Sequence, residues 1–424
     1  MRMQARPRLM AMLLTLACSV ATAAYADDRL ETILKQGVLR VGTPGDYAPF
    51  ALKHPVTEQY QGMDADAARQ MARALGVRLE WVPTSWPTLM DDLKADRFDL
   101  ALGGISVSLE RQKTGLFSAP YLTDGKTPIA RCADKAKYQT LKQIGQPGVR
   151  VIENAGGTNE RFARAHLPAA SIQIHPDNVT IWDELVARRA DVMITDAVEA
   201  RLQQKLHPTL CAIHPDTPFD FAEKAFLLPN DWRWKSWVDQ WLHVAAATGS
   251  LGRLEQHWLD WPWDGQAPGD DLEALVALMG ERLKLMPDVA RYKWNNHLPI
   301  EDLPREKAIL DELVVQATQA GVPEIYARTF FAAQMDAAKK VQQALFDQWR
   351  EADAGEMPDV PDLKNDIRPA LDAMTPRLLE LLGRNLSVLR DHANPSHLAE
   401  ALDRYLSKDR WGDAAQIAAR PLRD

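Results

Sequence analysis

Cysteine is scarce in this chain, three residues in 424, which excludes both a disulfide-stapled miniprotein and a cysteine-based metal cluster. An excess of positive charge is lacking as well. The formal net charge is −8, so nucleic acid and anionic lipid are excluded as general partners, and any anionic ligand needs a local cationic pocket. The ten histidines show no metal-type pairing with cysteines or acids, so no metal and no organic cofactor is expected. Past the N-terminus, no apolar run is long enough to span a bilayer.

What is present begins with an export signal. Arg2, Arg6 and Arg8 precede the apolar run LMAMLLTLACSVA and the small-residue site Ala24-Tyr25-Ala26, which predicts a signal peptide over 1–26 cleaved after Ala26. The run is too short for a membrane anchor, and Thr15 departs from the large aliphatic residue of a lipid-anchored signal at Cys18. Loss of the three arginines takes the formal charge to −11 from −8. The mature protein is therefore expected to be periplasmic, with no membrane contact after cleavage. In that oxidising compartment the remaining pair, Cys132 and Cys211, is expected to form one disulfide, two buried free thiols being the alternative.

Two kinds of pattern divide the rest. Over 27–263, short β-like runs (VLRVGT, RLEWVPT, FDLALGG, VRVIENA, ADVMITD) alternate with amphipathic stretches such as MDADAARQMARALG, the pattern of a parallel α/β domain. Residues 264–270 have the polar, turn-forming composition of a linker. Over 271–424 no strand is recognisable and long helical stretches follow one another, separated by breakers such as Gly321-Val322-Pro323. The fold class is thus α/β followed by all-α.

The first domain resembles the two-lobed (type II) periplasmic binding protein fold, carried by VLRVGTPGDYAPF, GMDADAARQMARALG, DLALGGISVSLERQKTGLFSAPY and AFLLP. That resemblance implies that Arg111 grips a ligand carboxylate, a task suited to the guanidinium fork. Independently, NAGGTNE runs from a strand into a helix, placing free backbone N–H groups at Asn154 to Asn159, where Gly156 and Gly157 permit close approach; a plain turn is the alternative. A narrower resemblance, carried by SWPTL, DGKTPI, NAGGTNE, HPDNVTIW, ITDAVEARLQ, LHPTLCAIHP and PFDFAEKAFLLP, is to periplasmic cyclohexadienyl dehydratase, which turns prephenate into phenylpyruvate. It implies Glu199 as the general acid that protonates the departing ring hydroxyl, with Trp86, Ser106, Arg111, Lys126, Asn154, Thr158 and Asn159 around the ring and carboxylates. Asp196 would hold an amine in an ordinary amino-acid receptor, which keeps arogenate open as a substrate. The competing structural reading is that Asp196 and Glu199 merely cap a helix.

In the helical half, Asp302-Leu303-Pro304-Arg305-Glu306 reads as a helix start with an acidic cap and an early proline. Capping does not account for Lys293 or Arg305, because cations are disfavoured near a helix N-terminus. GERLKLMPDVARYKW, LPIEDLPREKAIL, FFAAQMDAAKKVQQALFDQW and PDLKNDIRPAL resemble the secreted all-helical chorismate mutases, over Leu272 to about Leu402. The resemblance implies Arg282, Lys293, Arg305 and Arg368 as cations facing chorismate, with Asp302, Glu306 and Gln342 as hydrogen-bonding partners. It also allows a homodimer through the helical half. The chain is therefore expected to be an exported bifunctional enzyme converting chorismate to prephenate and prephenate to phenylpyruvate, with Cys132 and Cys211 as its structural pair. The rival expectation is a non-catalytic amino-acid receptor domain fused to an active mutase.

Overall fold

The computed structural model describes residues 28–261, 263, 269–358, 360–390 and 395–423. The expected signal peptide, its cleavage site and most of the expected linker lie outside the described residues. The described part of the first domain consists of two α/β lobes. In the first, Arg78–Pro83, Val38–Thr43 and Leu100–Ala101 run parallel, followed by Leu227–Leu228 antiparallel to Leu100–Ala101 and then Leu116–Phe117. In the second, Ser171–His175, Arg150–Asn154 and Val192–Asp196 are parallel, with Lys126–Arg131 and Leu210–Ala212 antiparallel at the other side. FDLALGG forms a strand only at Leu100–Ala101, because Gly103 and Gly104 take positive φ values of 118° and 69°, a region an L side chain would resist.

The chain passes between the lobes twice, at Leu122–Asp124 and Ala222–Lys224, and these two crossings pair antiparallel. Two adjacent strands linking two rigid bodies make a hinge. Each crossing delivers a lysine to the interlobe cleft, Lys126 just beyond the first and Lys224 at the end of the second. Cys132 and Cys211 are bonded to each other in the second lobe, Cα atoms 4.8 Å apart.

The regular elements among the described residues from Asp271 onward are all helices. Asp271–Lys284 begins where the Asp270 carboxylate accepts hydrogen bonds from Leu272 and Glu273 N–H groups at 3.0 and 2.9 Å, the usual remedy for unpaired N–H groups at a helix start. Met286–Asn295, Leu303–Gln319, the long Glu324–Glu351 and Arg368–Arg390 follow, and Asp413–Arg423 packs back onto Glu324–Glu351. Their shared core includes Leu275, Leu278, Phe330, Phe331, Leu378 and Leu382, all fully buried.

One member of that core comes from the other domain. Val56, at the tip between the hairpin strands Ala51–Lys53 and Tyr60–Gln61, is 7% exposed and packs with the helical core. Beside it Glu281 is buried against His54, whose Nε2 lies 3.3 Å from the carboxylate, while Gln61 Nε2 donates at 2.9 Å and Lys284 pairs with it. His54 Nδ1 accepts from the Val56 and Thr57 N–H groups, each at 3.2 Å, so its proton sits on Nε2, facing Glu281. The two domains are interlocked through a hairpin, which nothing in the sequence of a polar loop announces.

Two candidate active sites

The first site lies between the lobes. Val192–Asp196 ends in the cleft and leads directly into helix Ala197–Leu206, so Asp196 and Glu199 stand at a strand-to-helix junction, both almost fully buried. Asp196 is the electrostatic centre. Its Oδ1 accepts from Lys126 Nζ at 2.6 Å, and its Oδ2 from Lys224 Nζ at 2.5 Å and the Tyr47 hydroxyl at 2.6 Å. Burial alone would raise its pKa, but the two ammonium groups overwhelm that and hold it well below the usual carboxylate range. Lys126 is fixed further by Thr158 Oγ1 at 2.9 Å and by Asn159 Oδ1, and Lys224 by Ser106 Oγ at 3.0 Å.

Glu199 has no cation within ion-pair distance among the described residues. Among the described residues it accepts a hydrogen bond only from the Thr195 hydroxyl, and burial, reinforced by the Asp196 charge, pushes its pKa up to about 8. It is therefore a carboxylic acid at neutral pH. The side chain of Asp196 makes no capping bond to its helix, so the helix-capping alternative does not describe this pair.

Trp86, Ser106, Arg111, Asn154, Thr158, Asn159, Asp196 and Glu199 line one cleft. Lys126 reaches it through its amine. Arg111 is 5% exposed; its Nη1 donates to Ser106 O at 2.9 Å, and burial together with Arg161 lowers its pKa to about 10, still cationic at neutral pH. Trp86 Nε1 donates to both oxygens of Asp46, at 3.0 and 3.1 Å. Two participants escaped the sequence reading, Tyr47 and Lys224, which lie 149 and 28 residues from Asp196; no local pattern ties them to it. Gly156 is also reassigned in part. A Cβ there would lie 2.8 Å from Pro87 Cγ and 2.9 Å from its nitrogen, so this glycine permits the lobes to meet. The cleft is closed, with about 20 Å³ left inside, room for roughly one water.

The second site is a cavity of about 770 Å³ inside the helical domain. Arg282, Lys293, Arg305 and Arg368 all line it, each from a different helix. None of the four has a carboxylate within 4.0 Å among the described residues. Arg282 is anchored by Leu371 O at 3.0 Å and Thr375 Oγ1 at 3.3 Å, and burial lowers its pKa to about 10. Lys293 Nζ donates to Ile300 O at 2.7 Å, and burial lowers its pKa too. The wall between the cations is apolar, with Leu283, Met286, Val289 and Phe331 among its residues.

Asp302 and Glu306 stand at the mouth and cap their helix reciprocally: Arg305 N donates to Asp302 Oδ1 at 3.2 Å and Asp302 N to Glu306 Oε1 at 2.9 Å. Glu306 also takes Lys339 Nζ at 3.0 Å, a partner the sequence reading missed. Gln342 lies outside the cavity lining, one turn below Ala338, whose carbonyl it holds at 3.1 Å; its buried Oε1 has no hydrogen-bond partner among the described residues. Gln334 lines the cavity, but its amide donates to Ala418 O at 3.0 Å.

Comparison with known proteins follows the same division. Residues 39–260 match the bacterial extracellular solute-binding proteins, family 3, and residues 273–343 match chorismate mutase type II. The chain is 55% identical over 254 residues to cyclohexadienyl dehydratase of Pseudomonas aeruginosa, covering 58% of this chain and 94% of that protein. It is 31% identical over 147 residues to a monofunctional chorismate mutase of Enterobacter agglomerans, covering 32% of this chain and 80% of that one. Among solved structures, an ancestral amino-acid-binding protein described as a precursor of cyclohexadienyl dehydratase is similar at 33% identity and a TM-score of 0.51, covering 55% of this chain and 99% of that one. Among the described residues no helix is long and apolar enough to cross a membrane.

Proposed function

Since the chain belongs to the family 3 solute-binding proteins over its first domain and to the chorismate mutases over its second, we propose that it performs two consecutive reactions, chorismate to prephenate and prephenate to phenylpyruvate. The observation that carries the dehydratase reading is Glu199, buried in the cleft with no cation within ion-pair distance among the described residues, so that burial pushes its pKa up to about 8. A carboxylic acid aimed at the departing hydroxyl accelerates the expulsion of hydroxide, by about 10²- to 10⁴-fold for a general acid. The amine-binding carboxylate of an amino-acid receptor is also spoken for, since both oxygens of Asp196 are held by the protein's own lysines and Tyr47. This favours the keto acid prephenate over arogenate, whose ammonium would have to displace Lys126 or Lys224.

In the second domain the four cations fit the two carboxylates and developing ether-oxygen charge of chorismate. The rearrangement needs no nucleophile or acid; holding the diaxial chair-like shape is worth several kcal/mol. Lys293 is the donor we assign to the ether oxygen, where preorganised charge acts most strongly. Gln342 can join it only after its amide leaves the Ala338 carbonyl. Arg282, Arg305 and Arg368 are assigned to the carboxylates. In the first domain the lobes part at the paired crossings, admit prephenate, and close so that Arg111, Lys126 and Lys224 face its carboxylates and Glu199 its hydroxyl. Export to the periplasm with cleavage after Ala26, and pairing of two copies through the helical domain, complete this reading.

The test is the full chain supplied with chorismate alone. Phenylpyruvate formation is expected, and Glu199→Gln should stop at prephenate with mutase turnover intact. Phenylpyruvate formation by Glu199→Gln at the parental rate would remove Glu199 from the chemistry, and binding of prephenate with no turnover by the parent would return the first domain to receptors.

A further inference from the structure

Glu199 faces two cavities. One is the closed cleft; the other, of about 280 Å³, lies behind it, where Glu199, Gln203 and His207 form a stripe at four-residue spacing along helix Ala197–Leu206 and its C-cap. Glu199 and Gln203 are buried at the inner end, while His207, Asp183 and Arg404 are partly or fully exposed at the outer end. Two buried acceptors on this cavity, Gln203 Oε1 and Asn178 Oδ1, have no hydrogen-bond partner among the described residues. Such atoms are satisfied by water when the space allows it, and a space of this size has room for several waters.

The reaction gives the cavity something to do. Each turnover breaks the ring bond to the carboxylate, whose electron pair joins the aromatic ring as carbon dioxide leaves. The ring carbon–oxygen bond breaks with its pair going to oxygen, which takes the Glu199 proton and departs as water. Glu199 is left a carboxylate, and one proton from solvent must return to it per turnover. Until the lobes part again the closed cleft does not admit solvent, and the walls on that side include Asp196, Lys126 and Lys224. Tyr47 and Glu153 are the other ionisable groups close to Glu199, and Asp46, Asp183, His207 and Arg404 face the rear cavity.

We propose that the rear cavity is a proton-delivery path, in which His207 takes protons from solvent and water held by Gln203 and Asn178 passes them to the Glu199 carboxylate. This rests on the reading of Glu199 as the general acid. Arg404 and Tyr405 of the helical domain form part of the wall, so the fusion itself completes the path. His207 is suited to the outer position: burial lowers its pKa, opposed by Asp183, so near neutral pH it is uncharged and able to accept a proton before giving one up.

The test uses the full chain with Gln203→Leu, which removes an unpartnered acceptor at similar volume, and separately His207→Phe. Enzyme held at about pH 6.5, where Glu199 carries its proton, is mixed with prephenate in weak buffer at about pH 8.5. The first turnover, run with enzyme in excess, should stay within about twofold of the parent, while steady-state turnover should fall at least about fivefold and recover with added imidazolium or another small acid. Mutase turnover, unchanged, reports that the variants fold. Equal first and later turnovers at the parental rate would refute the path, and equal losses in both would make Gln203 a positioning residue instead. Either result leaves Glu199 in place if Glu199→Gln is inactive in the first turnover; an active Glu199→Gln would remove the acid itself.

Discussion

Asp196 and Glu199 are three positions apart and equally buried, yet at neutral pH the first is a carboxylate and the second an uncharged acid. The difference lies in their neighbours: two ammonium groups pair with Asp196, and among the described residues none comes within ion-pair distance of Glu199. The pH dependence follows with a definite sign. Glu199 is useful in its protonated form, its pKa is raised to about 8, and so dehydratase kcat should be level below that value and fall above it. A profile that rises through the same range would contradict the role. Glu199→Gln is expected to cost about 10²- to 10⁴-fold in kcat with KM little changed, the ordinary share of a general acid. In the other site, Lys293→Ala should lower mutase kcat/KM by about 10²-fold or more, since a donor aimed at developing charge is removed. Undiminished activity with an intact helical circular dichroism spectrum would exclude Lys293 from the site. The residue types and local motifs were readable from the sequence. Lys224, Tyr47 and Lys339 were not, because each meets its partner only through the folded chain, and Gln342, expected in the cavity, lies outside its lining with its amide on the Ala338 carbonyl and on Met286 Sδ of the cavity wall.

At the level of elements, the strand-to-helix turn at Asn154–Thr158 illustrates what local reading misses. A Gly-Gly turn before a helix predicts a ligand site, yet Gly156 at φ 74° abuts Pro87 of the opposite lobe. Gly156→Ala should therefore hinder closure twice over, by backbone strain and by the clash with Pro87. Dehydratase kcat is expected to fall by about tenfold or more while mutase activity is unaffected; an unimpaired variant would mean that the lobes need not meet there. The helix at Leu303 was legible in detail, since Asp302 and Glu306 cap it as the sequence pattern predicts. The same two residues were also expected to serve the substrate. Their capping bonds and the Glu306–Lys339 pair account for their placement without a ligand, and position them at the cavity mouth.

For the whole molecule, the interlocking hairpin determines how the two enzymes share stability. Glu281 is fully enclosed; burial opposes its charge, but Lys284 and His54 hold its pKa below the usual carboxylate range. A folded-state pKa depressed in this way gives stability that is present above the unfolded value and lost as the pH falls towards the folded one. Acid should therefore loosen the joint between domains, and less so in Glu281→Gln. At neutral pH that variant removes from the joint the carboxylate that pairs with Lys284 and His54, and the joint is expected to weaken. Calorimetry is expected to show one cooperative transition for the parent at neutral pH and a lower, split transition for Glu281→Gln or Val56→Asp, with mutase activity lost at the lower step. Two separate transitions in the parent would show that the domains are merely tethered.

Short-range chemistry was determined by sequence alone: alternating β and helical periodicity in one half, helical periodicity with caps in the other, and the motif-bearing Glu199, Arg111, Lys293 and Arg305. Periodicity and capping act over a few residues and leave their mark in neighbouring positions. Tertiary structure decided the rest, namely which lysines neutralise Asp196, that Glu199 is left without one, how the lobes close on Gly156, and that Val56 belongs to the core of the other domain. Those outcomes depend on desolvation and contact between segments far apart in the chain, and burial is a property of the assembled fold.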